Sequence, residues 1–174
     1  MRAADDVDGV LITGVYGTGK SSVAAEIAET LERGGVSYGA IDLDWLTWFE
    51  VPGMDDASAR RVFLANVADV VRNFRTVGVR HVVFAGAVRD GDELRGLQLA
   101  SAMPLRVVRL EVPLEEIARR LRSDPTTGRR DDLQVAARWV SESVGVGIED
   151  LAVINQGPIQ NVATQIIEWL GWTR

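Results

Sequence analysis

Hydrophobic residues along this chain alternate between short apolar-rich runs and longer periodic stretches. Val10–Ile12, Val36–Ile41, Val79–Ala85, Leu105–Val112 and Leu151–Ile154 have the length and composition of strands. The stretches between them carry helical spacing. Val23, Ile27 and Leu31 recur every four residues in Ser22–Leu31; Phe63, Val67, Val70 and Phe74 mark one face of a helix that Ser58 would cap and that runs to about Thr76. A short helix is predicted from about Glu93 to Ala100. Another follows from Pro113, a natural first helical residue, to Arg122, with Leu114, Ile117, Ala118 and Leu121 inward. Further helices are predicted over Leu133–Ser143 and from Ile159 to Leu170, and Gly34, Gly78 and Gly171 stand where helices end. Residues 1–9 read as an arm ahead of the first strand.

Strands alternating with helices predict an α/β fold: a parallel sheet with helices on both faces, in one domain spanning 1–174. Ligands of such sheets sit at the carboxyl ends of the strands. The loops that follow the first four strands therefore share one rim, where Lys20, Asp42, Asp44, Arg89 and the stretch Arg120–Arg130 gather.

Composition narrows the classes. A chain of 174 residues, 47% hydrophobic and 25% charged, suits a globular domain. No apolar run approaches the ~20 residues of a membrane span, and the acidic N-terminus lacks the apolar centre of a signal peptide. The absence of Cys excludes thiolate metal sites and fits a cytoplasmic protein. A net charge of −6 argues against bulk binding of nucleic acid or anionic membrane. Any anion must be caught by a local basic site.

Such a site is written at Gly14–Ser21, which matches G-x-x-x-x-G-K-[ST] without a mismatch. It follows a strand and opens a helix. The glycines let backbone N–H groups turn toward a polyphosphate, the helix N-terminus adds positive potential, Lys20 would reach the β- and γ-phosphates, and Ser21 would ligate Mg²⁺. Lysine and arginine together number 19, and Lys20 is the only lysine. A chain that uses arginine everywhere else keeps its one compact ammonium for this loop.

Asp42 and Asp44 leave the second strand together, spaced to divide two tasks: Asp42 toward the metal, Asp44 toward an acceptor hydroxyl. Either could instead cap a following helical turn. Arg119, Arg120, Arg122, Arg129 and Arg130 form a basic cluster after the fourth strand. Some would pair with Glu115, Glu116, Asp131 and Asp132; Arg120 and one of Arg129 or Arg130 are the candidates for closing over a nucleotide. Arg89 and the pair Arg60-Arg61 are candidates for gripping an anionic substrate; position favours Arg89, which follows a strand exit, and surface charge is the default for Arg60 and Arg61. Trp45, Trp48 and Phe49 could wall a ring pocket or pack as core. His81, far from the rim, reads as structural, and one poorly placed histidine gives neither a zinc set nor a Ser-His-Asp triad.

These residues resemble the small P-loop kinases of metabolites: shikimate, gluconate and adenylylsulfate kinases and chloramphenicol phosphotransferase. The resemblance is carried by Gly14–Ser21, by Asp42-x-Asp44, by Glu111-Val112-Pro113-Leu114-Glu115 with Arg120 and Asp124-Pro125, and by Asn155-Gln156-Gly157-Pro158. It implies a P-loop NTPase fold with strand order 2-3-1-4-5 and an arginine-bearing lid at about 123–132. It implies that Gly14, Gly17, Thr18, Gly19, Lys20, Ser21 and Ser22 hold ATP, with Arg120 and Pro158 at the adenine. Ser21 and Asp42 would serve Mg²⁺, and Asp44, Arg89, Arg129 and Arg130 the small-molecule acceptor. The chain departs from the group in having Leu43 between the acids, Gly86-Ala87-Val88 after strand three, and no acid at that strand's end. The expected activity is ATP-dependent phosphorylation of a hydroxyl by catalytic Lys20, Asp42, Asp44 and Arg120. The alternatives are a nucleoside monophosphate kinase and a nucleotide-binding module without turnover. A GTPase is excluded, because its Asn-Lys-x-Asp motif needs a second lysine.

Overall fold

The structure, a computed structural model, describes residues 7–123 and 129–172, and for residues 129–131 the backbone only. The five apolar-rich runs become β1 (Asp8–Thr13), β2 (Tyr38–Asp42), β3 (His81–Ala85), β4 (Leu105–Glu111) and β5 (Leu151–Ile154). They form one sheet in the order β2-β3-β1-β4-β5, with every neighbouring pair parallel. In the register Val10 lies beside Val83 on one side and Arg106 on the other. This is the P-loop NTPase arrangement.

Successive strand residues face opposite ways, so β1 feeds two cores. Val10 and Ile12 point to a layer made by α1 (Lys20–Arg33) and, near the other end of the chain, α7 (Ile159–Leu170), where Ile27, Leu31 and Ile166 are almost wholly buried. Leu11 points the other way with Phe84, against Val67 and Val71 of α3 (Asp56–Thr76) and Leu97 of α4 (Gly91–Ser101). Between β2 and α3 sits the short α2 (Leu43–Thr47). After β4 come α5 (Leu114–Ser123) and α6 (Arg129–Ser141), which pack on each other through Ile117, Leu121 and Ala136 and reach Val15 and Tyr16 of the glycine loop.

Several element ends differ from the pattern-based expectation, each for a local reason. The cap of α3 is Asp55, whose Oδ1 accepts the Ser58 N–H at 2.6 Å; a carboxylate supplies the acceptor in place of the Ser58 hydroxyl. β2 starts at Tyr38 because the Val36 N–H is used on Leu31 O at the end of α1. β3 starts at His81 because Val79 N donates to Phe74 O and closes α3. The loop expected at 123–132 is entered by helix from both sides, since α5 runs to Ser123 and α6 already begins at Arg129 rather than Leu133. Of the arm expected over residues 1–9, residues 1–6 lie outside the described residues, as does the lid segment 124–128; Val7 is buried and β1 already begins at Asp8, whose N–H donates to Arg80 O. Among those described, no helix is long and apolar enough to cross a membrane.

At the amino end of the sheet, far from the rim, Asp8 accepts hydrogen bonds from Trp172 Nε1 (3.0 Å) and Arg106 (3.2 Å) and meets His81 Nδ1 at 2.6 Å. The His81 ring lies against Trp172. Its role is structural.

Candidate functional site

Gly14, Gly17 and Gly19 all take positive φ, at 138°, 80° and 90°. A Cβ at Gly14 would stand 2.8 Å from Leu110 O, one at Gly17 2.9 Å from Ile117 Cγ2, and one at Gly19 2.8 Å from Asn155 Nδ2. Only glycine permits this close approach of loop to β4, α5 and the β5 exit. Gly19 passes directly into α1, which starts with no side-chain cap and no acid in its first turn. Its first N–H groups therefore face the cleft without an intrahelical partner, where phosphate oxygens fit them. Lys20 is buried, with Nζ donating to Val15 O at 3.2 Å and lying 5.3 Å from the Tyr16 ring centroid. The loop thus has the concave, donor-lined form of an anion cradle.

Ser21 and Asp42 meet across the cleft, the serine Oγ donating to Asp42 Oδ2 at 2.6 Å. One hydroxyl and one carboxylate are a fitting partial set for Mg²⁺, which takes few protein ligands and leaves its other positions to water and phosphate. Among the described residues no three His, Cys, Asp or Glu side chains converge on a metal site, so this pair is the donor set available. Asp42 also caps α2, its Oδ1 accepting the Asp44 N–H at 3.1 Å. Asp42 thus caps α2 through Oδ1, while Oδ2 is the oxygen that accepts the Ser21 hydroxyl. Burial pushes the Asp44 carboxyl above its ordinary value, and the adjacent Asp42 carboxylate adds to this while Lys20 opposes it. Leu43, between the acids, is buried in the core, and a Cβ at Gly86 would lie 2.9 Å from its side chain. Leu43 thus occupies the ground beside the end of β3, which accounts together for the leucine between the acids and for the lack of an acid after Ala85.

The far wall of the cleft is a brace. Asn155, buried after β5, donates from Nδ2 to Thr18 O at 2.7 Å. Its own carbonyl accepts from Arg120 at 2.9 Å, and Arg120 Nε donates to Glu116 at 2.8 Å. Hydrogen bonds from Arg119 and Arg120 hold the Glu116 carboxyl down to about 2. Arg120 lines the cleft, with its guanidinium tied to Glu116 of α5 and to Asn155 O at the β5 exit. Arg119 is exposed and pairs with Glu116, the surface alternative for that residue.

The cleft has a volume of about 980 Å³, and Gly17, Gly19, Lys20, Ser21, Ser22 and Arg120 are among its walls. Gly14 and Thr18 are not. Gly14 borders a smaller hollow behind the loop, and Thr18 is buried with its hydroxyl donating to Val15 O at 2.8 Å, so both shape the loop from behind. Nor does Pro158 line the cleft: it precedes α7 as its cap residue, and Asn155, Gly157 and Ile159 supply that wall. Trp45 and Trp48 stand at the rim, 67% and 77% exposed and 4.9 Å apart by ring centroids, so they are not core.

A second cavity, about 480 Å³, opens between α2, α3, α4 and the loop after β3. Asp44 and Thr47 belong to the walls of both cavities. Arg89 lines the second one, and so does Arg60, which sequence reasoning left on the surface. The missed signal was position: Arg60 lies three residues before Phe63 and seven before Val67, on the apolar face of α3. Glu93 was missed as well. It accepts Arg89 Nε at 2.6 Å and the Arg89 N–H at 2.8 Å, and lies 3.8 Å from Arg60. The side chains of Arg129 and Arg130 lie outside the described residues.

A family model described as an AAA domain matches residues 10–140. No curated protein matches the sequence. Among solved structures, the fold resembles the adenylylsulfate (APS) kinase of Mycobacterium tuberculosis in complex with AMPPNP and APS (20% identity, TM-score 0.60, 95% of this chain and 98% of that one). It also resembles a gluconokinase from Sinorhizobium meliloti 1021 (20%, 0.61, 96% and 97%) and the tunicamycin resistance protein of Deinococcus radiodurans (17%, 0.63, 95% and 96%). At these identities the likeness is one of fold.

Proposed function

From the premise that the chain belongs to the AAA domain family, we propose that it is an ATP-dependent kinase that phosphorylates a hydroxyl of a small molecule. The observation that carries this reading is Asp44, one carboxylate in the walls of both cavities. The cleft beside the glycine loop is the nucleotide side, and the cavity between α2, α3 and α4 is the acceptor side. The full-length likeness to solved small-molecule kinases supports it.

ATP with Mg²⁺, when bound, supplies an electrophilic γ-phosphorus. The N–H groups at the start of α1 and the Lys20 ammonium would hold the phosphate charge, and Ser21 with Asp42 would hold the metal. Arg120 and the Asn155–Gly157 turn wall the base. Asp44 orients the acceptor hydroxyl and takes its proton on a carboxylate oxygen. Its raised proton affinity suits that task, because a base closer to the working pH is the better proton acceptor.

The test is ADP release over a panel of hydroxylated acceptors, repeated with Asp44→Asn. A kcat loss of about 10²-fold or more is expected, with nucleotide affinity nearly unchanged. Because the base must be ionised, activity should rise with pH through a limb above the ordinary carboxylate range, and this limb should vanish in the variant. Near-normal turnover by Asp44→Asn would favour a phosphate acceptor, which needs no base, and sink the hydroxyl reading.

A further inference from the structure

The second cavity has a charge pattern that selects among acceptors. Its lining acids are Asp44, Asp56 and Glu93, and its lining cations are Arg60 and Arg89. The acids outnumber the cations, and both cations are already engaged. Glu93 takes Arg89 through its side chain and its backbone N–H, stands against Arg60, and is only 17% exposed. Arg60 also donates to Asp92 O at 3.0 Å. Glu93 is itself fixed, its N–H bonded at 2.9 Å to Asp90 Oδ1 at the start of α4. An incoming carboxylate, sulfate or phosphate would have to displace this built-in carboxylate and then lie near Asp44 and Asp56. Like charges gathered in a half-enclosed space repel with little screening.

The rest of the wall is apolar. Leu43, Val88 and Leu97 are buried behind it, and Phe49, Phe63 and Leu64 stand beside them. A cavity of about 480 Å³ is within the range that encloses a small organic molecule. Asp44 stands where this cavity meets the cleft, and the apolar side chains offer a surface for a ring. Such a division orients a ligand hydroxyl first, with its apolar body along α3 and α4.

Building on the kinase reading, we propose that the acceptor is an alcohol with an apolar or aromatic body and no anionic group, an amine being tolerated beside Asp56. Glu93 is the specificity-determining residue: its carboxylate binds Arg89 directly and stands 3.8 Å from Arg60, so an anion arriving at either guanidinium meets a fixed like charge. Discrimination of this kind works by leaving the wrong ligand without a partner and next to a like charge.

The test uses three benzyl alcohols that differ only in the para group: carboxamide, aminomethyl and carboxylate. Their affinities are measured by ligand-observed NMR titration in the presence of ADP and Mg²⁺. The amide and the amine are expected to bind at least about tenfold more tightly than the carboxylate. Ala59→Trp, which fills the cavity from α3, should remove the binding of all three. Glu93→Gln should raise carboxylate affinity about fivefold or more while moving the amide less than about twofold. The wild-type comparison stands even where a variant fails to fold. Carboxylate binding equal to or tighter than the amide overturns the proposal, as does binding indifferent to a folded Ala59→Trp protein. ADP release with the same compounds separates the two readings. Preference for amide and amine with no ADP release from any of them leaves the cavity assignment standing and ends the kinase reading. ADP release drawn only by the carboxylate does the reverse.

Discussion

Gly19→Ala probes the brace between the glycine loop and the β5 exit. Gly19 sits at φ 90°, ψ 25°, in the left-handed region, which costs a residue with a Cβ about 1–2 kcal/mol. The added methyl would stand 2.8 Å from Asn155 Nδ2, closer than packed atoms allow. Asn155 is buried and its Nδ2 holds Thr18 O at 2.7 Å, so it yields only by giving up that bond, at about 1–3 kcal/mol for a buried group left unpaired. The two costs together predict a loss of about 2–5 kcal/mol. Asn155→Ala alone should lose about 1–2 kcal/mol for the same hydrogen bond. The double variant is the decisive one. With the amide gone the methyl has space, and only the backbone strain should be added to the loss from Asn155→Ala. Urea unfolding of the four proteins, followed by circular dichroism, should therefore give a coupling energy of about 1–3 kcal/mol in the sense that the double variant is more stable than the sum predicts. Additivity within about 0.5 kcal/mol would refute the claim that the loop is held by Asn155.

Two further outcomes test separate regions. Lys20→Ala should lower ATP affinity by about 10-fold to 10²-fold, from the loss of charge-assisted bonds to phosphate; unchanged affinity in a titration would remove the loop from the nucleotide site. Asp8→Asn should cost about 1–3 kcal/mol near neutral pH through weakened bonds to His81, Arg106 and Trp172. Burial opposes ionisation of Asp8, but the bonds from His81 and Trp172 and the charges of His81 and Arg106 together hold its carboxyl below the ordinary value. The folded protein thus binds that proton less tightly than the unfolded chain does. The stability Asp8 contributes is present above the unfolded value and is lost as pH falls through the folded one, so the gap between wild type and variant should close in acid. A gap that widens in acid denaturation profiles contradicts the cluster's charge state.

What was legible in the sequence is local chemistry. Gly14–Ser21 specifies its own loop, because positive φ and a strand-to-helix transition are properties of neighbouring residues. The alternation of strands and helices gave a parallel sheet, while the order β2-β3-β1-β4-β5 came through family resemblance and not from the pattern. What periodicity could not supply were features fixed by distant contacts. Asn155 meets Thr18 across 137 positions, and Leu43 fills the space beside Gly86. Arg60 and Arg89 come under one carboxylate only after α3 and α4 dock. The starts of β2 and β3 were placed early because Val36 and Val79, apolar enough for strands, are used in closing helices. Trp45 and Trp48, which by composition alone favour a core, stand exposed at the rim, Trp45 on α2 and Trp48 as its C-terminal cap residue.

On the proposed reading, a single carboxylate in the walls of two cavities links the occupants of both thermodynamically. Cations or anions placed in the cleft change the proton affinity of Asp44, and the proton on Asp44 changes what the neighbouring cavity prefers. By reciprocity, whatever factor the nucleotide applies to acceptor affinity, the acceptor applies to the nucleotide. A protein of one sheet can in this way carry heterotropic cooperativity in one side chain.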